Sequence, residues 1–125
     1  MDCPFCNITD DDKIFENDLA YAIYDKYPVN KGHILIITKN HTKDYFSATE
    51  KERRAIFTLM EKCKKFLDEK YNPDAYNIGI NCGREAGQTI MHFHLHLIPR
   101  YRGDIDDPTG GVRGVIPEKR VYDLD

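Results

Sequence analysis

Residues 90–99 read Ile-Met-His-Phe-His-Leu-His-Leu-Ile-Pro, so three histidines alternate with large apolar residues. An alternation with a period of two predicts a β-strand, because successive side chains of a strand point to opposite faces of a sheet. His92, His94 and His96 then share one face, and the apolar residues between them anchor the strand to a core. Three imidazoles on one face indicate a functional site, since threonine, lysine or glutamate would suit a solvated face better.

Two kinds of chemistry fit this row of histidines. A His-x-His pair on a strand can ligate a metal ion that activates a water molecule. Alternatively, one imidazole acts as a covalent nucleophile while another serves as an acid or a phosphate donor. Histidine is neutral for most molecules at pH 7, and a neutral imidazole is a good nucleophile toward phosphorus. The alternation alone leaves both possibilities open.

The loop ahead of the histidines, residues 81–89, is rich in hydrogen-bond donors. Gly83 and Gly87 allow backbone N–H groups to approach an anion closely, and Gln88 and Thr89 add donor side chains. A tight turn would explain the glycines alone. Beside a row of histidines, the same loop favours a phosphate ester as ligand.

The rest of the chain predicts more strands and one long helix. Apolar residues at helical spacing predict an amphipathic helix over 49–71, and Ser47-x-x-Glu50 matches a capping box ahead of it. Residues 2–9 predict a short helical turn. Runs of aliphatic and aromatic residues predict strands at 19–24, 33–38 and 75–81. Strands grouped around a single helix indicate the α+β class.

Length and composition favour one soluble globular domain. The chain has 125 residues, of which 41% are hydrophobic and 31% charged, and its net charge is −3. No strong basic field exists, so nucleic acid is not expected as a partner. The longest aliphatic run, residues 34–37, is too short to span a bilayer, and the N-terminus lacks the features of a signal peptide. A cytoplasmic location is therefore expected, with no membrane partner.

A Cys-x-x-Cys pair opens the chain at Cys3 and Cys6. One such pair is half of a zinc site, and two small buried apolar residues are the alternative interpretation. A thioredoxin-like redox pair is disfavoured, because no strand precedes the two cysteines.

Residues 86–98, Ala-Gly-Gln-Thr-Ile-Met-His-Phe-His-Leu-His-Leu-Ile, resemble the signature of the histidine triad (HIT) family. Residues 29–36, Val-Asn-Lys-Gly-His-Ile-Leu-Ile, are similar to a second strand of that family, and Cys-Pro-Phe-Cys at the start matches many of its prokaryotic members. The likeness spans roughly residues 3–101. It implies a HIT domain over 1–101, with a C-terminal tail of 102–125 packed on the same domain.

The resemblance implies a five-stranded antiparallel sheet with one long helix, joined across a homodimer into a continuous sheet. It also implies a nucleotide hydrolase or transferase acting at the α-phosphate of a purine nucleotide, either an adenosine phosphoramidate or a dinucleoside polyphosphate. His94 would be the nucleophile that forms a nucleotidyl-histidine intermediate. His96 would contact the phosphate and assist the leaving group, while His92 and His33 orient the site. The substrate-binding positions would be Asp25 for the ribose and Asn81, Gly87 and Thr89 for the phosphate and leaving group.

Some members with this Cys-x-x-Cys pair are similar in combining it with two histidines, which here are His41 and His92. Cys3, Cys6, His41 and His92 would then form a closed structural zinc site, and catalysis would need no cofactor. The alternatives are a metal-free pair of cysteines, a zinc-dependent hydrolase that uses the triad histidines as ligands, and a nucleotide-binding module without turnover.

The tail carries four cations near the triad strand in sequence: Arg102, Arg113, Lys119 and Arg120. One interpretation is that the glycine-rich segment 110–114 folds back over a site, either that of its own chain or that of a partner subunit, and contacts the distal part of the substrate. A solvated tail of mixed charge is the alternative.

Overall fold

The computed structural model describes residues 3–123, which form one antiparallel sheet covered by a long helix. The strands are β1 (Phe15–Glu16), β2 (Ala20–Tyr24), β3 (Ile34–Thr38), β4 (Ala75–Gly79) and β5 (His94–Arg100), and the helix is α1 (Glu50–Tyr71). The strand order is β1-β2-β3-β5-β4, and every neighbouring pair is antiparallel. The predicted α+β fold with five antiparallel strands and one long helix is confirmed.

The capping box of helix α1 lies two residues later than the predicted one. Thr49 is the N-cap, and its hydroxyl accepts from the Glu52 N–H at 3.1 Å while the Glu52 carboxylate accepts from the Thr49 N–H at 2.9 Å. The prediction that Ser47 and Glu50 form the box is therefore wrong. The same Ser/Thr-x-x-Glu spacing recurs at Thr49 and Glu52, and this second pair forms the box. Asn72 ends the helix in a left-handed conformation, and Pro73 follows it.

The main core lies between α1 and one face of the sheet. Small residues of β2 and branched residues of β3 meet the apolar face of the helix there. Its buried members include Ala22, Ile34, Ile36, Ile56, Leu59, Cys63, Leu67, Phe93, Leu95 and Leu97. Phe93, Leu95 and Leu97 lie on this side, so the apolar half of the histidine alternation anchors β5 as predicted.

The opposite face of the sheet is covered by the N-terminal segment. Tyr21, Ile23, Leu35 and Ile37 alternate with the residues that face α1, and they form a second core with Cys3 and Phe5. Residues Pro4–Cys6 form a 3₁₀ turn, which is the short helical turn predicted at the N-terminus. Because both faces of β2 and β3 are buried, these strands read as continuous apolar runs.

Strand β5 begins at His94, four residues later than the predicted start. The last ladder pair of β5 with β3 joins Ile37 to His94, and β3 ends one residue later. The Phe93 N–H instead donates to the Thr42 carbonyl at 2.7 Å, in the connection after β3. His92 therefore precedes the strand, and the direction of its side chain is not fixed by the alternation of β5.

The C-terminal tail contains two short 3₁₀ turns. Its 3₁₀ turn at Gly111–Val115 contacts β4, and a second turn spans Pro117–Lys119. Within residues 3–123, no helix combines the length and the apolar character that a membrane span requires.

Candidate active site and metal cluster

A cavity of about 720 Å³ lies where β5, the end of β2 and the loop before β5 meet the N-terminal segment; we call it the first cavity. His94 and His96 line it, which places two of the three triad histidines on one face as predicted. The polar wall also includes Asp25, Asn81, Gly87 and Thr89, and the apolar wall is formed by Phe5, Ile8, Ile23, Leu35 and Ile90. Phe5 and Ile8 were not singled out from the sequence, although Phe5 lies inside the Cys-x-x-Cys motif.

His94 is buried and tied to the backbone. Its Nδ1 lies 2.7 Å from the His92 carbonyl oxygen, so Nδ1 carries the hydrogen and donates. A neutral imidazole holds one ring hydrogen, and Nε2 therefore keeps its lone pair. His94 thus has the tautomer of a nucleophile.

His96 has the opposite tautomer, which a relay through His33 establishes. The Val29 N–H donates to His33 Nδ1 at 3.0 Å, so the ring hydrogen of His33 lies on Nε2. His33 Nε2 is 3.0 Å from His96 Nδ1 and donates to it. The hydrogen of His96 consequently lies on Nε2, and this ring is a donor where His94 offers a lone pair.

The protein environment keeps these imidazoles uncharged. Burial lowers the pKa of His94, His33 and His96, and that of His96 falls to about 4. The Asp25 carboxylate, whose Oδ2 is 3.5 Å from His33 Nε2, raises the same pKa values but does not reverse the effect of burial. All three rings are neutral at pH 7.

Asp25 follows β2 directly and is held by the turn after it. Its N–H donates to the His33 carbonyl at 2.9 Å, and its Oδ1 accepts from the Tyr27 N–H at 2.9 Å. The structure thus places a carboxylate at the rim of the first cavity, beside the histidine relay.

Gln88 is placed differently from its predicted role as a donor to the ligand. Its side chain is buried, with Nε2 donating to the carbonyls of Lys43 (2.7 Å) and Ile90 (3.1 Å). Its Oε1 accepts from the Gly83 N–H at 2.8 Å. Gln88 therefore shapes the loop around Gly87, where φ is +95°, while Gly87 and Thr89 line the cavity.

The four predicted metal ligands Cys3, Cys6, His41 and His92 converge on one point, with their ligand atoms within 4.8 Å of one another; we call them the metal cluster. Cys3 Sγ is 3.3 Å from His92 Nδ1, and Cys6 Sγ is 3.2 Å from His41 Nδ1. Tetrahedral zinc, with bonds of about 2.0–2.3 Å, places its ligand atoms roughly 3.3–3.8 Å apart. His92 Nε2 donates to the Thr38 carbonyl at 2.7 Å, which leaves a lone pair on Nδ1 and orients the ring as metal-ligating histidines require. The donor set fits zinc.

A second group, Asp25, His33 and His96, also has its ligand atoms within 4.8 Å. A metal on His33 Nε2 would move the ring hydrogen to Nδ1, where it would oppose the Val29 N–H. The geometry of this group is that of a hydrogen-bond relay. The triad histidines consequently divide between two tasks, with His92 in the metal cluster and His94 and His96 in the cavity.

A second cavity of about 710 Å³ adjoins the first and shares Asp25, Asn81 and His96 with it. Val112 and Val115 of the tail line this cavity. The tail cations do not: Arg113 donates to the Lys119 carbonyl, and Arg120 donates to carbonyls of residues 107 and 109. Arg113 and Arg120 thus stabilise the turns of the tail, and a contact between segment 110–114 and the distal part of a substrate stays a prediction.

Comparison with known proteins gives a consistent result. Residues 7–103 match the HIT domain family. The crystal structure of a HIT family protein from Bacillus anthracis is similar, with 39% identity and a TM-score of 0.77 over 82% of this chain and 76% of that one. A zinc-bound histidine triad family protein from Mycobacterium smegmatis has 34% identity and a TM-score of 0.75, covering 83% of this chain and 78% of that one.

A third similar structure is that of an enzyme. The diadenosine triphosphate hydrolase of Plasmodium falciparum has 30% identity and a TM-score of 0.74, over 80% of this chain and 68% of that one.

Proposed function

The chain belongs to the histidine triad family, and on that premise we propose that it hydrolyses nucleotides at the α-phosphate through a covalent nucleotidyl-histidine on His94. The observation that carries the proposal is the hydrogen bond from His94 Nδ1 to the His92 carbonyl, which leaves the Nε2 lone pair available in the first cavity. The substrates are adenosine phosphoramidates or dinucleoside polyphosphates, and the base and ribose occupy the apolar part of the cavity with Asp25 at the ribose hydroxyls.

In the first step, His94 Nε2 forms a bond to the α-phosphorus while the bond from phosphorus to the leaving group breaks. Positive charge develops on the imidazole, and the His92 carbonyl stabilises it through Nδ1–H. The His96 Nε2–H donates to the leaving atom. A phosphate oxygen departs as an anion, whereas the nitrogen of a phosphoramidate takes a proton from solvent and departs as the neutral amine. The proton that the attacking water releases in the second step balances this uptake.

In the second step, water adds to phosphorus and the bond from phosphorus to Nε2 breaks. The electron pair returns to Nε2, and the proton of the water passes to solvent. Thr89 offers hydrogen-bond donors to the phosphate oxygens in both steps, and Asn81 adds its side-chain amide. The Gly87 N–H is taken by the Arg84 carbonyl at 2.9 Å, so Gly87 contributes a wall without a side chain, against which the phosphate can lie closely.

The tautomers favour this reaction over a zinc-activated water held by the triad. His92 Nδ1 faces the two cysteines, and His96 carries its hydrogen on Nε2. Of the three triad histidines, His94 alone therefore keeps a lone pair in the first cavity, and one imidazole does not make a zinc site. We propose that zinc binds the metal cluster as a structural ion. All four positions of a tetrahedral ion are then filled by protein, which leaves none for a reacting water.

We also propose a homodimer formed at the outer edge of β4. Within residues 3–123, β4 pairs with β5 alone, so its other edge offers free N–H and C=O groups to a second strand. Ile78 on this strand is 48% exposed. An exposed apolar edge strand favours pairing with another chain.

The test is a search for the covalent intermediate. Protein mixed with excess substrate and quenched with denaturant at neutral or alkaline pH should gain the mass of one nucleotidyl group, and peptide mapping should place it on His94. Quenching in acid should lose the adduct, because the phosphorus–nitrogen bond of phosphohistidine is acid-labile. Turnover with no adduct at any quench time would contradict the mechanism, and nucleotide binding with no turnover would favour the binding module.

A further inference from the structure

The metal cluster and the first cavity share one short segment, Cys3-Pro4-Phe5-Cys6. Cys3 and Cys6 supply two of the four ligand atoms of the cluster, while Pro4 and Phe5 line the cavity. We propose that metal binding at the cluster controls nucleotide affinity in the first cavity, with Phe5 as the positioning residue that couples the two sites. This inference rests on the nucleotide function and the zinc site proposed above.

The segment is built to move as one unit. It forms a 3₁₀ turn in which the Cys6 N–H donates to the Cys3 carbonyl at 3.1 Å, and the Asn7 side chain donates to the same carbonyl at 3.0 Å. Pro4 restricts the backbone at the start of the turn. A displacement of either sulfur therefore moves the Phe5 ring.

Phe5 contacts a metal ligand, His92, and the nucleophile, His94. Its ring lies edge-to-face with His94, at 5.0 Å between centroids and 72°, and with His92, at 5.9 Å and 81°. It is only 7% exposed, and its carbonyl accepts from the Tyr21 hydroxyl. The ring thus connects a metal ligand, the nucleophile and the apolar wall of the cavity.

His92 provides a second link between the sites. Its ring faces the cysteines through Nδ1, while its backbone carbonyl accepts the hydrogen bond from His94 Nδ1. Ordering of the metal cluster therefore orders the nucleophile both through Phe5 and through the carbonyl that selects its tautomer.

Metal binding changes how firmly the turn is held. In metal-free protein the thiols would be held near the imidazoles only by S–H hydrogen bonds, and thiols are weak donors. Zinc replaces them with bonds of about 2.0–2.3 Å and releases the thiol protons. The turn and the cavity wall are consequently more rigid in the metal-bound protein. The wall then loses less conformational entropy when a nucleotide binds.

Thermodynamic linkage makes the coupling measurable from both sides. If zinc raises the affinity for a nucleotide by some factor, the nucleotide must raise the affinity for zinc by the same factor. With AMP as the probe, the dissociation constant of the zinc-bound protein should be about tenfold lower than that of chelator-treated protein, within the usual range of coupling between sites. A competing chelating dye should then report an equal gain in zinc affinity when AMP is added.

Phe5→Ala separates the coupling from metal binding. The variant keeps all four ligands, so it should bind one zinc per chain, while the effect of zinc on AMP affinity should fall to about twofold or less. Ile8→Ala is the matched control, because Ile8 lines the same cavity but lies outside the Cys-x-x-Cys turn. It should weaken AMP equally with and without zinc.

His41→Ala removes an exposed ligand that does not line the first cavity, so the fold should persist while zinc affinity drops. Its AMP affinity should match that of the metal-free protein. Equal AMP affinity of the wild type with and without zinc, or a wild type that binds AMP but no zinc, would overturn the coupling and leave the nucleotide function standing. A zinc-bound wild type that does not bind AMP would contradict the proposed function itself.

Discussion

His94 and His96 are chemically identical side chains that their hydrogen bonds make different. The His92 carbonyl takes the Nδ1 hydrogen of His94, whereas the His33 Nε2–H donates to His96 Nδ1. One ring consequently offers a lone pair and the other a hydrogen at Nε2, two residues apart on one face of β5. Nucleophilic attack at phosphorus with a donor beside the leaving group needs that pair of tautomers.

Removal of the nucleophile should stop turnover and spare binding. His94→Ala should lower kcat by roughly 10³-fold or more, equivalent to about 4 kcal/mol of barrier, because the covalent route is lost. AMP should still bind, since Asp25, Gly87 and the apolar wall remain. Steady-state kinetics and calorimetry with AMP are the measurements, and near-normal kcat in His94→Ala would exclude the covalent mechanism.

The buried state of His96 should make stability depend on pH. The pKa of His96 is about 4 in the folded protein, below its ordinary value of 6.5. Between these values the unfolded chain binds more protons than the folded one, so the free energy of unfolding falls as pH falls from about 6.5 to about 4. The loss between pH 7 and pH 5 should be on the order of 1–2 kcal/mol, given the partial exposure of the ring.

Urea denaturation at several pH values, on wild type and His96→Asn, measures this effect. Both proteins share every other titrating group, so the informative quantity is the difference between their two slopes. The variant should show the shallower slope. Identical slopes would mean that His96 does not titrate abnormally in the folded state.

At the level of elements, the start of α1 depends on contacts from outside the helix as well as on its capping sequence. Glu52 is 5% exposed, and besides the Thr49 N–H it accepts from the Asn40 side chain at 3.4 Å. The capping box at Thr49 is therefore joined to the connection after β3, whereas Ser47 and Glu50 are exposed. The contact with Asn40 favours one of two overlapping capping signals.

Loss of the N-cap hydroxyl should destabilise the protein measurably. Thr49→Ala should lower the free energy of unfolding by about 1 kcal/mol, because the Glu52 N–H loses its acceptor. Ser47→Ala is the matched control and should change stability by no more than a few tenths of a kcal/mol. Urea denaturation measures the free energy of unfolding of both variants. A larger loss in Ser47→Ala than in Thr49→Ala would mean that Ser47, and not Thr49, caps the helix.

At the scale of the whole molecule, strand β4 is one of the two edges of the sheet. Helix α1 covers one face and the N-terminal segment covers part of the other, while β4 ends the ladder with Ile78 exposed. His94 and His96 lie on β5, next to this edge strand, so a second subunit paired there, as proposed, would lie close to the first cavity.

A charge on the edge strand should weaken the proposed dimer. Ile78→Lys should raise the dimer dissociation constant by about tenfold or more, because lysine on an exposed edge disfavours strand pairing. Phe46→Lys, a change at another exposed apolar residue in the segment before α1, should leave the oligomeric state unchanged. Light scattering across a concentration series checks both, and a monomeric wild type would contradict the dimer.

The sequence by itself determined the elements whose signals are periodic. The alternation of residues 92–97 predicted a strand with three histidines on one face, which holds for His94 and His96 but not for His92, which precedes the strand. The helical spacing of apolar residues predicted α1 to within one residue at its start. Such patterns suffice because the side-chain period is a local property of a helix or a strand. Strand β1, with two residues, is too short to carry a period, and only the family resemblance implied a fifth strand. The resemblance also indicated which side chains converge on the metal cluster.

Only the tertiary structure decided what each imidazole does. The tautomers of His94 and His96 depend on the His92 carbonyl and on a ring 63 residues away, and the direction of His92 depends on Cys3, 89 residues away. The inward position of Gln88 depends in the same way on the Lys43 carbonyl. A hydrogen bond between distant residues leaves no local period in the sequence, so the positions of the ring hydrogens, and with them the chemistry, follow only from the folded chain.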